Sequence, residues 1–293
     1  MRIAVASGTG GTGKTLVAVS LALSLAEKEE VQLLDCDVEE PNDHIFLNPE
    51  IHKSEQVCIP VPSIDENTCT YCGLCARVCA FHAIAVFKPQ ALVFAQLCHG
   101  CGACAYLCPE KAIDEEPRAI GKVESGYAKG VRFVQGILTV GEALAPPVIR
   151  EVKRRAMSSG TVIIDTSPGT SCPVVQAVQG SDFCLLVTEP TPFGFNDLRL
   201  AVDMVRELGV PFGIVLNRVK TGAKDAFRRE MDRYFENEGI PLLLTIPLET
   251  EIARHYSKGI PLVEAMPAWK NRFVEMFDTI VEMADERSPR VER

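Results

Sequence analysis

The sequence predicts an α/β fold: a doubly wound, mostly parallel sheet interrupted by a small cysteine-rich α+β module. Three observations lead there. Apolar runs of strand length alternate with segments of helical periodicity along most of the chain, as in a parallel sheet covered on both faces. The first of those runs opens into a glycine-rich loop. From about residue 57 to residue 117 the long apolar runs stop and cysteines take their place.

Arg2–Ala6 reads as a buried strand ending at Ser7-Gly8. The loop Gly8-Thr9-Gly10-Gly11-Thr12-Gly13-Lys14-Thr15 fits G-x-x-x-x-G-K-[ST], and Leu16 to Glu29 follows with apolar residues at helical spacing. Strand, loop and helix in that order give the motif a mechanism. Backbone N–H groups and the helix N-terminus cradle a triphosphate, Lys14 reaches its β- and γ-phosphates, and the Thr15 hydroxyl ligates magnesium. A glycine-rich turn that binds nothing is the bland alternative, and the flanking strand and helix argue against it.

Val31–Asp35 is the second strand, leading into Asp35-Cys36-Asp37. Two carboxylates at a strand's C-terminal end are placed to meet a γ-phosphate or its attacking water, or else they are surface turn residues. Later strands are expected at Ile120–Val123, Val131–Leu138, Thr161–Asp165, Phe183–Thr188, Phe212–Asn217 and Leu242–Ile246. Helices are expected at Pro146–Ser158 and Phe195–Leu208. Asp165, at the end of its strand, suits the carboxylate that holds magnesium through water, and Gly169 could offer an N–H to the γ-phosphate. A last helix, from Trp269 to about Ala284, gathers Trp269, Phe273, Met276, Phe277 and Ile280 on one face and Glu275, Asp278 and Glu282 on the other. An acidic polar face suits docking onto the protein body better than binding a membrane.

The cysteine segment is an internal repeat. Cys69, Cys72, Cys75 and Cys79 recur as Cys98, Cys101, Cys104 and Cys108, each run reading C-x-x-C-x-x-C-x-x-x-C. In the bacterial ferredoxin arrangement this spacing binds two 4Fe-4S clusters, the fourth cysteine of each run crossing to the other cluster. One cluster then takes Cys69, Cys72, Cys75 and Cys108, and the other takes Cys98, Cys101, Cys104 and Cys79. Zinc is the rival metal, but it does not need four cysteines in each of two matched runs. Ligation would supply folding energy that so small a core lacks. The expected organisation is therefore a nucleotide-binding domain of residues 1–56 and 118–293, with an inserted module at 57–117.

Composition narrows the function. Hydrophobic residues make up 47% of the 293, enough for a core, and the formal charge of −9 disfavours nucleic-acid and anionic membrane surfaces. No apolar run reaches membrane-spanning length. The N-terminus carries no leader-like segment, and thiolate ligands need a reducing compartment, so the cytoplasm is expected. Outside the repeat, Cys36, Cys58, Cys172 and Cys184 read first as small buried hydrophobes. His99, between two cluster cysteines, either donates to a sulfur or faces solvent.

On these residues the chain resembles the MinD/Mrp/ParA branch of P-loop ATPases, which includes the nitrogenase iron protein, and within it the members carrying an inserted ferredoxin domain. The resemblance rests on GTGGTGKT, LLDCDVEEPN, the cysteine insert, IIDTSPGTSCP and IPLETEIARHYSKGIPLVE. It implies ATP and ADP as ligands, hydrolysis with Asp37 orienting the attacking water, adenine contacts from Asn217 and the loop around Pro247 and Glu249, and a homodimer. Its redox or assembly partner protein is not named by these motifs. The resemblance breaks at Thr9, where the family has a lysine that reaches the partner subunit's phosphates. A neutral hydroxyl cannot supply that charge, which implies slow turnover, another cation, or a different dimer. Cys172 stands where the iron protein holds a cluster on its dimer axis, but no second cysteine lies between Glu110 and Ser171 to complete such a site. Three functions follow: nucleotide-gated electron transfer, iron–sulfur cluster assembly or carriage, and MinD-like positioning with structural or sensory clusters.

Overall fold

The computed structural model describes residues 1–220 and 226–287. Its elements in chain order are β1 (Arg2–Ala6), α1 (Lys14–Leu25), β2 (Val31–Cys36), α2 (Asp43–Leu47), β3 (Glu50–Ile64), α3 (Leu74–Val78), β4 (Ile84–Phe87), β5 (Gln90–Val93) and α4 (Ala103–Tyr106). There follow β6 (Ile113–Ala128), β7 (Val131–Leu138), α5 (Pro146–Arg154), β8 (Thr161–Thr166), α6 (Cys172–Val178), β9 (Phe183–Thr188) and α7 (Pro192–Glu207). The chain closes with β10 (Phe212–Val219), α8 (Ala226–Glu238), β11 (Leu242–Pro247), α9 (Thr250–Tyr256), α10 (Leu262–Ala265) and α11 (Trp269–Arg287).

Among the described residues one large sheet runs in the order β11-β10-β9-β1-β8-β2-β7-β6-β3. Neighbours from β11 to β7 are parallel, whereas β6 runs antiparallel to β7 and β3 antiparallel to β6. Alternation along β1 shows how the two faces are covered. Ile3 and Val5 join a core with residues of α1, α10 and α11, while Ala4 and Ala6 join one with α6, α7 and α8. The expected doubly wound sheet is therefore present. All of α1 is buried, between the sheet and α11. Trp269, Phe273, Met276 and Ile280 of α11 are buried as expected, and Phe277 packs against the same core.

The sheet departs from expectation at its β3 edge. β6 is far longer than the expected Ile120–Val123, and β3 was not expected at all. Together they form an antiparallel ribbon from Glu50↔Tyr127 to Ile64↔Ile113, with register shifts between Ile51 and Lys53 and between Val57 and Cys58. It continues past residues 57 and 117, the expected ends of the module. Pro60, Pro62 and Pro117 make the ribbon hard to read as strand. A proline is tolerated where its missing N–H faces no neighbour, as on an edge strand. β3 is such an edge for Pro60 and Pro62, and Pro117 lies on β6 beyond Gly121, where β7 no longer pairs with it. Val57, Ile59 and Val61 alternate inward along β3.

β7 ends at Leu138, opposite Gly121 of β6. Residues 113–120 therefore continue past the C-terminal edge of the parallel strands, the edge that carries the loops after β1, β2 and β8. At about 3.3 Å per residue this overhang is roughly 26 Å long. At its end sit the two cysteine runs, with α3, the β4–β5 hairpin and α4 between Ile64 and Ile113. The repeat is preserved in the backbone: Tyr71 and Gly100, Gly73 and Gly102, and His82 and Lys111 are matched pairs, each with φ between 52° and 72°.

Candidate nucleotide cleft and cysteine cavities

The loops after β1, β2 and β8 converge because their strands are neighbours in the sheet. They border a cleft of ≈ 1060 Å³ lined by Gly10, Gly11, Gly13, Lys14 and Thr15, with Asp37 facing it and Asn217, Pro247 and Glu249 at its far side. Gly8, Thr9 and Thr12 do not line it. Gly8 lies against α7, where a Cβ would come within 2.1 Å of the Asp197 carbonyl oxygen. Lys14 and Arg218 are the cationic residues lining the cleft among the described residues, and Arg218 is paired with Glu189 at 3.1 Å.

Asn217 is buried and spans two elements. Its Nδ2 donates to the Thr12 carbonyl at 2.7 Å, while its Oδ1 accepts the Arg218 N–H at 2.9 Å. It therefore braces the phosphate loop as well as lining the cleft. Gly13 has φ 97°, and a Cβ there would stand 2.3 Å from that same Nδ2, so the loop can close on Asn217 only with glycine at this position. The Gly169 N–H donates to the Ser7 carbonyl at 2.9 Å, a bond that must open before it could reach a phosphate.

The carboxylates divide their work differently from the sequence expectation. Asp35 does not face the cleft. It is buried and accepts backbone N–H groups from Asp37 (3.1 Å), Asn42 (3.0 Å) and Asp43 (3.1 Å), so it shapes the loop that presents Asp37. The single hydroxyl proton of Thr15 lies between Asn42 Oδ1 at 2.7 Å and Asp165 Oδ2 at 2.8 Å. Asp165 Oδ1 and both Asp43 oxygens are buried with no donor from another residue, and the Asp43 carboxyl, when protonated, is placed to donate to Asp165. Burial pushes Asp165 up to about 6, against the pull of Lys14 and Thr15. Burial, then the charge of Asp165, raises Asp35 well above the usual carboxylate range. Asp43 is raised likewise by burial and by Asp35 and Asp165. Asp37 is raised by burial, opposed by Ser167 and Lys14.

Two buried carboxyl groups that face each other beside a hydroxyl, with no donor from another residue, fit a divalent cation. Among the described residues, no three His, Cys, Asp or Glu side chains converge closely enough to hold one ion by themselves. Magnesium suits this arrangement, since it keeps waters and completes its shell with substrate phosphate oxygens. Thr15 would hold it, with Asp165 and Asp43 beside it. Asn42, Asp43 and Tyr256 were not expected here; Asn42 and Asp43 directly follow the DCDVEEP run, whose density of acids was the available signal.

The cysteines surround two cavities. One is lined by Cys69, Cys72, Cys75 and Cys108; the other by Cys79, Cys98, Cys101 and Cys104. The fourth cysteine of each run thus lines the cavity of the other run. Backbone N–H groups donate to sulfur in matched pairs: Tyr71 to Cys69 (3.4 Å) with Gly100 to Cys98 (3.4 Å), and Ala83 to Cys79 (3.2 Å) with Ala112 to Cys108 (3.3 Å). Four thiols around a void, with N–H groups aimed at sulfur, fit a polynuclear iron–sulfur cluster better than a single zinc ion.

His99 stacks on Phe81, ring centroids 3.5 Å apart and planes at 3°. Cys36 and Cys184 are buried as expected, with burial pushing both thiols up. Cys58 and Cys172 are exposed, contrary to expectation: Cys58 is on the edge strand β3, and Cys172 opens α6.

With this geometry in view, the comparisons are specific. The model of the CobQ/CobB/MinD/ParA nucleotide binding domain matches residues 3–262. The chain belongs to that family. Among solved structures, the septum site-determining protein MinD of Pyrococcus horikoshii OT3, complexed with Mg-ADP, superposes with a TM-score of 0.60 at 18% identity over 98% of each chain. In sequence, the uncharacterized protein MJ0579 of Methanocaldococcus jannaschii is 34% identical over 223 residues, covering 74% of this chain and 80% of the relative. An iron–sulfur cluster carrier protein of Pyrococcus horikoshii is 24% identical, covering 96% of this chain and 85% of that protein. Membership makes residues 3–262 a nucleotide binding domain of the MinD/ParA type. Among the described residues no helix is long and apolar enough to cross a membrane.

Proposed function

We propose that this chain binds Mg-ATP and couples its nucleotide state to electron transfer through two 4Fe-4S clusters. The observation that carries the reading is the crossed arrangement of cysteines around two cavities, borne on a ribbon that continues the nucleotide-binding sheet. Four thiolates hold each cluster, which supplies a one-electron carrier when bound. The inserted module is read as residues 57–117 in function, with its supporting strands shared with the sheet.

At the nucleotide, loop N–H groups and Lys14 bind the phosphates and Thr15 orients magnesium, with Asp165 beside it. Asn217, Pro247 and Glu249 border the end of the cleft suited to the adenine. Asp37 faces the cleft from the loop shaped by Asp35 and is placed to orient water. Thr9 leaves the loop without the family's first lysine, so turnover is slow. Two chains facing each other across their nucleotides make the functional dimer, and a separate redox protein is the partner.

The test is anaerobic reconstitution followed by potentiometric titration without nucleotide, with Mg-ADP and with a non-hydrolysable Mg-ATP analogue. Cluster potentials that change with nucleotide support the reading, and identical values in all three states refute it. The names of several relatives favour a second reading, in which the chain carries clusters to other proteins. Rapid transfer of iron and sulfide to an apo-acceptor would establish that reading; retention of both clusters would reject it.

A further inference from the structure

The two cysteine cavities differ in what surrounds them. The cavity of Cys79, Cys98, Cys101 and Cys104 lies against the ribbon, where Pro60, Pro62 and Glu115 also line it. Cys98 packs onto the core that contains Val57, Ile59 and Val61, and a Cβ at Gly100 would stand 3.1 Å from both Ile59 and Pro60. The cavity of Cys69, Cys72, Cys75 and Cys108 borders Ile64 and Ile113, the last pair of the ribbon. One site is therefore inner and the other outer.

The core beneath the inner site also contains Val38, the residue after Asp37. The Val38 carbonyl accepts the Leu138 N–H at 2.8 Å, and the next N–H, of Thr139, donates to the Ile120 carbonyl at 2.9 Å. Leu138 pairs with Gly121 where the ribbon leaves the sheet. The Val38 side chain occupies the space left by Gly136, since a Cβ there would come within 2.6 Å of Val38 Cγ1. The Asp37 loop and the foot of the ribbon are thus one packed unit, and a packed core tends to switch between arrangements rather than deform smoothly.

We propose that Val38 is a positioning residue through which the Asp37 loop acts on the inner cluster and not on the outer one. This rests on the coupling reading above. Cluster potentials respond to hydrogen bonds at sulfur and to solvent exposure. Movement of Val38 repacks Ile59 and Val61 under Cys98 and Gly100, whereas the outer site touches the ribbon only at its far end.

The experiment is an EPR-monitored potentiometric titration of the protein carrying both clusters, in the three nucleotide states. Cys72→Ala and Cys101→Ala, which remove an outer and an inner ligand, assign the signals. The non-hydrolysable analogue should change the reduced-to-oxidised ratio of the inner cluster at least tenfold at fixed poise, about 59 mV for one electron, and leave the outer ratio unchanged. Val38→Ala should keep nucleotide affinity and both clusters but lose the shift. Nucleotide-dependent hydrogen exchange at the Leu138 and Thr139 amides should disappear in the same variant. A shift at the outer cluster, an equal shift at both, or a shift that survives Val38→Ala overturns this assignment and leaves the general coupling standing. No shift at either cluster in the unsubstituted protein removes the coupling itself. If Val38→Ala does not fold, the titration of the unsubstituted protein still decides between inner and outer.

Discussion

Asp165→Asn should stabilise the nucleotide-free, magnesium-free protein while abolishing its response to magnesium nucleotide. Asp165 is buried, and burial raises it from 3.8 to about 6. An acid raised in the folded state carries no penalty below its unfolded value, because both states are then protonated. The penalty grows as pH rises through the window from 3.8 to about 6 and is complete above it. One unit is 1.36 kcal/mol, so the ionised form costs up to about 3 kcal/mol at pH 7.5 and about half that at pH 5. Asparagine keeps an oxygen for the Thr15 hydroxyl and removes the charge. For a chain of this length the gain is about 5 °C in Tm at pH 7.5, smaller at pH 5. The unsubstituted protein should recover stability from Mg-ADP, about 2.7 kcal/mol at a hundredfold excess over Kd, and the variant should not. The assay is anaerobic thermal unfolding at the two pH values with and without Mg-ADP. A variant less stable than the parent at pH 7.5, or a gain of equal size at both pH values, would refute the assignment of an ionised, cation-deprived carboxylate.

Thr9→Lys restores a positive charge to the phosphate loop and should raise the ATP turnover rate at least tenfold, with ADP affinity in calorimetry little changed; an unchanged kcat argues against a missing charge as the limit. Asn217→Ala leaves the Thr12 carbonyl without its buried donor, a loss of about 1–3 kcal/mol, and should weaken nucleotide binding about tenfold or more by calorimetry. Phe273→Ala opens the contact of α11 with the core and should cost about 3–5 kcal/mol in denaturant unfolding, with cluster content unaltered.

The parallel part of the sheet was legible because each of its strands is specified locally. Phe183–Thr188 matches β9 end for end, a run of apolar residues bounded by polar ones. The grouping of the cysteines around two cavities was legible from the spacing together with the known crossing of the bacterial ferredoxin arrangement, since the repeat alone does not say which run the fourth cysteine joins. The ribbon was not. Its pairing joins residues far apart in sequence, its prolines resemble breakers, and only a side of the strand without a neighbour makes them acceptable. That Gly10, Gly11, Gly13, Lys14 and Thr15 border a cleft was legible in the loop motif, but the different settings of the acids were not. Asp35 and Asp37 differ only in which way the loop turns, and the backbone N–H groups of Asp37, Asn42 and Asp43 decide that turn by closing on Asp35. Asp43 carries no motif, and its importance comes from burial beside Asp165.

The pairing of Ile64 with Ile113 has a consequence for how the module is held. The chain leaves the ribbon and returns to it at adjacent positions, so the module closes as a hairpin tip does. The entropy of bringing the ends of a loop together rises only as the logarithm of its length, and here adjacent strands already hold those ends. Residues 65–112 are therefore held at their base by the last pair of the ribbon and along one side by the contacts of Val93, Ala95 and Cys98 with the core. The ribbon is a socket.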